Sequence, residues 1–138
     1  MYLDKQNLMS DGQAVTASAA STNVIDLGVD RDIGHTNIRV RGSVAVTPVS
    51  AGSSTITLAI QTSNDESFGS FDTLITTGAI AKADAAAGTV LLDAALPSAT
   101  KRYIRGYYTI GTANLTAGNF DLALVQNSEA RRDYPNAI

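Results

Sequence analysis

Apolar residues recur at every second position through much of this 138-residue chain. Between Asn37 and Thr47 the even positions hold Ile38, Val40, Gly42, Val44 and Val46. The odd positions hold Asn37, Arg39, Arg41, Ser43, Ala45 and Thr47. A period of two predicts a strand with one buried and one wet face, because successive side chains of an extended backbone point to opposite sides. The rhythm returns in Ile56, Leu58, Ile60 and in Phe120, Leu122, Leu124. On this basis strands are predicted over 14–18, 22–29, 37–47, 55–62, 72–76, 89–96, 102–110 and 119–126. Gly42 marks a bulge or a close approach of backbone. Pro48 is expected to end its strand, because it has no N–H to give the ladder. The alanine-rich stretch 78–88 is closely bounded by glycines. That favours a short strand plus loop over the helical turn alanine alone would suggest. Within 102–110, Ile104, Tyr108 and Ile110 share one face, and Tyr103, Arg105, Tyr107 and Thr109 share the other.

Many short strands with Gly and Pro punctuation, and no amphipathic helix of useful length, predict an all-β fold. A count of about eight strands is that of a jelly roll, so the expected architecture is a jelly-roll-like antiparallel β-sandwich with an extended N-terminal arm. The expected division is an arm over residues 1–12, a sandwich domain over 13–126 and a C-terminal tail over 127–138. Tyr2 and Leu3 give the arm two apolar residues able to dock on a partner. Arg131 and Arg132 give the tail two guanidinium forks that suit carboxylates.

Composition sharpens this picture. Aromatic residues make up 6% of the chain, and small and β-branched residues dominate. Such a core favours thin, closely approaching sheets over a large ligand cavity. The absence of cysteine removes disulfides, thiolate nucleophiles and cysteine metal sites, so production in a reducing cytosol is the default expectation. The first residues lack the basic and apolar pattern of a secretory signal, and no apolar run reaches the roughly eighteen residues of a transmembrane helix. A net charge of −3 gives no general attraction to nucleic acid or to anionic lipid.

Little in the chain can do covalent chemistry. His35 is the one histidine, and with no second histidine or cysteine beside it in sequence it reads as a solvated loop residue. Asn64-Asp65-Glu66 offers oxygen donors without the spaced alternation of a calcium loop, and reads as an Asx-turn between strands. Neither a Gly-x-Ser-x-Gly elbow nor a phosphate-binding Gly-Lys-Ser/Thr motif occurs. The one basic and aromatic stripe is Lys101-Arg102 with Tyr103, Arg105 and Tyr107. A stacking platform for single-stranded nucleic acid would look similar, but the acidic balance argues against it. Tyrosine and arginine are enriched at protein interfaces, so Tyr103, Arg105 and Tyr107 are candidate contact residues. No catalytic, cofactor or metal site is expected.

Three stretches carry a family resemblance. The first runs from Asp4-Lys5 through Ser10-Asp11-Gly12-Gln13-Ala14-Val15-Thr16 to Val24-Ile25-Asp26-Leu27-Gly28. The second is Leu58-Ala59-Ile60-Gln61-Thr62-Ser63-Asn64-Asp65-Glu66-Ser67-Phe68-Gly69. The third is Leu96-Pro97, then Thr100-Lys101-Arg102-Tyr103-Ile104-Arg105, then Thr116-Ala117-Gly118. In this order the chain resembles the capsid cement (decoration) proteins of tailed bacteriophages. The resemblance spans about Asp4 to Gln126; the tail after Gln126 lies outside it, and the alanine-rich stretch 80–87 is not distinctive within it. It implies a structural virion protein on the outer surface of an icosahedral head, made in the bacterial cytoplasm. The implied partners are the major capsid protein and further copies of the chain, as a dimer or trimer at symmetry axes, with no nucleic acid, membrane, enzymatic activity or cofactor. The alternative on sequence grounds is a jelly-roll binding module of a phage particle that recognises carbohydrate or a receptor, since that fold hosts many lectin-like functions.

Overall fold

The computed structural model describes residues 7–33 and 38–126. Its strands are β1 (Leu8–Ala14), β2 (Ala19–Ala20), β3 (Ile25–Asp26), β4 (Ile38–Val49) and β5 (Thr55–Ser63). They continue as β6 (Asp72–Thr76), β7 (Ile80–Ala81), β8 (Val90–Ala95), β9 (Tyr103–Gly111) and β10 (Ala117–Gln126). One sheet has the order β1-β10-β4-β8. The other has β2-β9-β5-β6, with β3 also on β9 and β7 also on β5. All pairings are antiparallel.

The short strands resolve into a simpler plan. β2 and β3 follow one another along the same side of β9, at Tyr107–Tyr108 and Tyr103–Ile104. β6 and β7 likewise share one side of β5. Each pair therefore fills a single strand position, leaving four positions per sheet. In chain order these read first-eighth-third-sixth in one sheet and second-seventh-fourth-fifth in the other, which is the jelly-roll winding. The fold expected from the strand pattern is thus the fold found.

The core lies between the sheets. β5 contributes Ile56, Leu58 and Ile60, β10 contributes Phe120, Leu122 and Leu124, and β4 contributes Val40 and Val44, all of them buried. Glycine sets how closely the sheets approach. A Cβ on Gly42 would lie 2.5 Å from Leu58 Cδ2 of the facing sheet. A Cβ on Gly106 would collide with Leu122 Cδ2 coming the other way. Each sheet thus presses a leucine into a glycine notch of its neighbour, the close approach that the position of Gly42 suggested. Beside this interlock Tyr108 packs on Phe120, with ring centroids 5.3 Å apart.

Several boundaries differ from expectation. The segment read as an arm joins the sheet from Leu8 onward, because β1 pairs with β10. Register shifts along β1 hid it: Met9 and Ser10 are adjacent and both buried, which breaks the alternation. Ser10 tolerates burial because its Oγ accepts from Tyr108 Oη at 3.0 Å and donates to Gln13 Oε1 at 2.7 Å. The strand expected over 14–18 is shifted, with β1 ending at Ala14 and β2 starting at Ala19. The one expected over 22–29 shrinks to Ile25–Asp26, with Val24 and Val29 exposed. Pro48 does not end β4. It sits where the β4–β10 register slips between Ala117 and Asn119, the kind of bulge in which a missing N–H is tolerated. A second slip, between Asn119 and Phe120, accompanies the exposure of Val46, which is 48% exposed although alternation placed it inside. The alanine-rich stretch holds both readings, the short strand β7 followed by one 3-10 turn at Lys82–Asp84.

Candidate interaction face

The outer face of the β5–β9 pair gathers what the sequence singled out. Tyr103, Arg105 and Tyr107 alternate outward along β9. Their cross-strand partners on β5 are Ser63, Gln61 and Ala59. Arg105 Nε donates to Gln61 Oε1 at 2.9 Å, so the register itself fixes the guanidinium. The β5–β6 loop then folds over this row. The Arg105 guanidinium carbon lies 4.1 Å from the ring centre of Phe68, 5.5 Å from that of Tyr107 and 5.9 Å from that of Phe71. These distances lie within the range of cation–π attraction. Phe68 is buried beneath the cation, whereas Phe71 is 44% exposed beside it. Partial desolvation pulls the Arg105 pKa below the ordinary arginine value, against the opposing pull of Tyr107.

The loop owes its shape to Asp65. Its Oδ1 accepts from Ser67 N at 3.0 Å and from Ser67 Oγ at 2.9 Å, while Oδ2 accepts from Gly69 N at 3.2 Å. Those bonds, led by the Ser67 amide, hold the carboxyl below the usual aspartate pKa. Ser63 Oγ accepts from Asp65 N at 2.9 Å and donates to Ser70 O at 2.5 Å, tying both ends of the loop together. This is the Asx-turn expected there. It holds Phe68 in the left-handed region at φ 55, a strained conformation for a bulky side chain.

The rest of the basic stripe is already neutralised. Arg102 meets both Asp26 oxygens, at 2.9 Å from Nε and 3.2 Å from Nη2. That side-chain bond raises the Arg102 pKa and lowers that of Asp26. Lys101 Nζ lies 2.8 Å from Asp72 Oδ2, and this bond raises the Lys101 pKa. The Arg102 guanidinium carbon also covers the Tyr103 ring at 4.9 Å from its centre, and Tyr103 is 9% exposed. Tyr103 therefore stiffens the face rather than offering itself to a partner. Arg105, Tyr107 and Phe71 remain as its accessible groups outside an ion pair.

Tyr2, Leu3, Arg131 and Arg132 lie outside the described residues, as does His35. Phe68, Phe71 and Gln61 were not anticipated. Two phenylalanines in an Asn/Asp/Ser/Gly loop were the available sign for the first two. Gln61 needed the strand pairing. On the opposite sheet a hollow of about 240 Å³ is lined by Leu8, Asp11, Arg41, Ser43 and Asp121. It is smaller than the roughly 300 Å³ from which small-molecule pockets start. Asp121 Oδ1 is engaged there by Gly12 N at 2.6 Å. Among the described residues no group of three or more His, Cys, Asp or Glu could hold a metal ion, and no helix is long and apolar enough to cross a membrane.

The family model described as Bbp16 matches residues 9–124, from within β1 to within β10. The chain belongs to the Bbp16 family. The match points to a phage-type family and takes in every strand of the Bbp16 jelly roll as well as the Arg105 face. No curated protein matches this Bbp16 chain.

Proposed function

We propose that the protein is a capsid cement protein, a structural virion component that binds the outer surface of an icosahedral phage head and stabilises contacts between major capsid protein subunits. The observation that carries this reading is the Bbp16 match across the whole jelly roll. The resemblance of the same strands and turns to decoration proteins supports it. On this reading the protein is not an enzyme and takes no cofactor, nucleic acid or membrane. Its partners are the major capsid protein and other copies of itself, and it reaches the virion from the bacterial cytoplasm. Its work is adhesion. A rigid slab with a preorganised aromatic and arginine face loses little conformational freedom on docking, so more of the contact energy survives as affinity. Copies attached at two points of one particle gain further through effective concentration.

The test is to add purified protein to heads that lack it. Electron microscopy should show density on the outer surface, and decorated heads should resist osmotic shock better than bare ones. Bare heads after saturating addition, together with a reproducible hit on a glycan array, would favour the carbohydrate-binding alternative and end this reading.

A further inference from the structure

We infer that Arg105 is the anchor of the β5–β9 face and that it receives a carboxylate, an Asp or Glu side chain of the protein partner. This deepens the cement reading and rests on it. A guanidinium carries five N–H donors in a planar fork. Arg105 uses Nε on Gln61. Among the described residues its terminal nitrogens have no acceptor and no carboxylate lies within 4.0 Å of them. The contrast with its neighbours is sharp. Arg102 is spent on Asp26 and Lys101 on Asp72. Arg102 covers one ring, that of Tyr103, whereas Arg105 lies against three, with Phe68 beneath it and Tyr107 and Phe71 alongside.

Three physical consequences follow from that setting. The fork is immobilised at one nitrogen, so a bidentate bond costs little extra ordering. The rings strip part of its hydration, which strengthens attraction to an incoming anion. Phe71 and Tyr107 form an apolar collar able to exclude water from the pair once formed, the surroundings in which arginine anchors contribute most. The occupant is a single carboxylate rather than a polyanion. Asp26 lies opposite Tyr103 on β3 and Asp72 begins β6, each balanced only by its own cation, and the chain is acidic overall. Among the described residues of this face, a phosphate backbone would gain Arg105 as a cation without a carboxylate partner and would meet Asp26 and Asp72.

The test has two arms, both on the full-length protein. In the first, arginine Nε–Hε resonances are followed during separate titrations with sodium acetate, sodium phosphate and sodium chloride. Arg105, assigned from its loss in Arg105→Lys, should shift saturably with acetate, while Arg102 stays still. A shift reproduced by chloride, or none, would overturn the carboxylate assignment. Tighter binding of phosphate than of acetate would overturn it in favour of a phosphate ligand. In the second arm, occupancy on heads is measured for wild type, Arg105→Gln and Arg105→Lys. Both variants should lose affinity by about tenfold or more, because lysine keeps the charge but not the fork. Wild-type occupancy by both would refute the anchor and leave the cement reading standing. Wild type that never decorates heads would refute the cement reading and with it the partner named here, and the acetate titration would then decide the anion site alone.

Discussion

Tyr108 shows what one side chain contributes here. It is fully buried, and burial pushes its pKa up to about 12 in spite of the hydrogen bond to Ser10. The folded state therefore favours the neutral phenol more than the unfolded chain does. That contribution is complete below the unfolded value of 10.0 and is lost as pH climbs from there toward 12. It is worth on the order of 2–3 kcal/mol. Urea unfolding followed from pH 9 to pH 12 should show midpoints falling across that window. Tyr108→Phe should remove this alkaline limb and cost about 1 kcal/mol at pH 7, for the lost bond to Ser10. At Asp65 the expectation is local. Asp65→Ala removes the acceptors of the Ser67 and Gly69 amides, so hydrogen exchange at those two amides should accelerate while the β10 amides stay protected. Unchanged exchange in the loop would show that Phe68 holds its turn without the carboxylate.

Elements that run through the middle of the sheets were the most legible from sequence. β5 and β9, the two central strands of their sheet, fall within one residue of their expected spans, because both neighbours and one buried face impose strict alternation. Legibility failed where a bulge or a polar network intervened. β1 buries Met9 and Ser10 side by side, and nothing in a two-residue period announces a serine that is satisfied by a tyrosine 98 positions away. Pro48 looked like a terminator because its neighbour across the slip, on β10, is invisible along the chain. The interaction face was half legible for the same reason. Tyr107 and Arg105 share a parity that can be read directly, but Phe68 and Gln61 reach Arg105 through a loop and a register. A prediction follows for β1. Replacing both Met9 and Val15, buried within and just after β1, with Asp should lower the thermal midpoint by several degrees or abolish folding, since it detaches β1 from the core. An unchanged midpoint would show that β1 contributes nothing.

At the scale of the molecule the winding is strongly non-local. The first strand pairs with the last, the third with both the eighth and the sixth position, and every core layer draws on both ends of the chain. Loop-closure entropy has to be overcome before such contacts form, so refolding is expected in the range of milliseconds to seconds, as for other sandwiches. Stopped-flow fluorescence of the tyrosines would measure it, and submillisecond folding would contradict the topology. Such a fold suits a part that must keep its shape rather than change it.

The paired notches between the sheets also limit how this chain can drift. Gly106→Ala should cost about 1–3 kcal/mol, because the added methyl overlaps Leu122 Cδ2 and this fully buried leucine must shift within the core. Leu122→Ala opens a hole of its own and costs roughly 2–5 kcal/mol. The two changes together should cost less than their sum, since the added methyl enters the space the leucine vacates. A thermodynamic cycle over the four proteins would read that coupling directly. If it holds, the two positions are permitted to change only in concert, and a lineage that widens one side must already have trimmed the other.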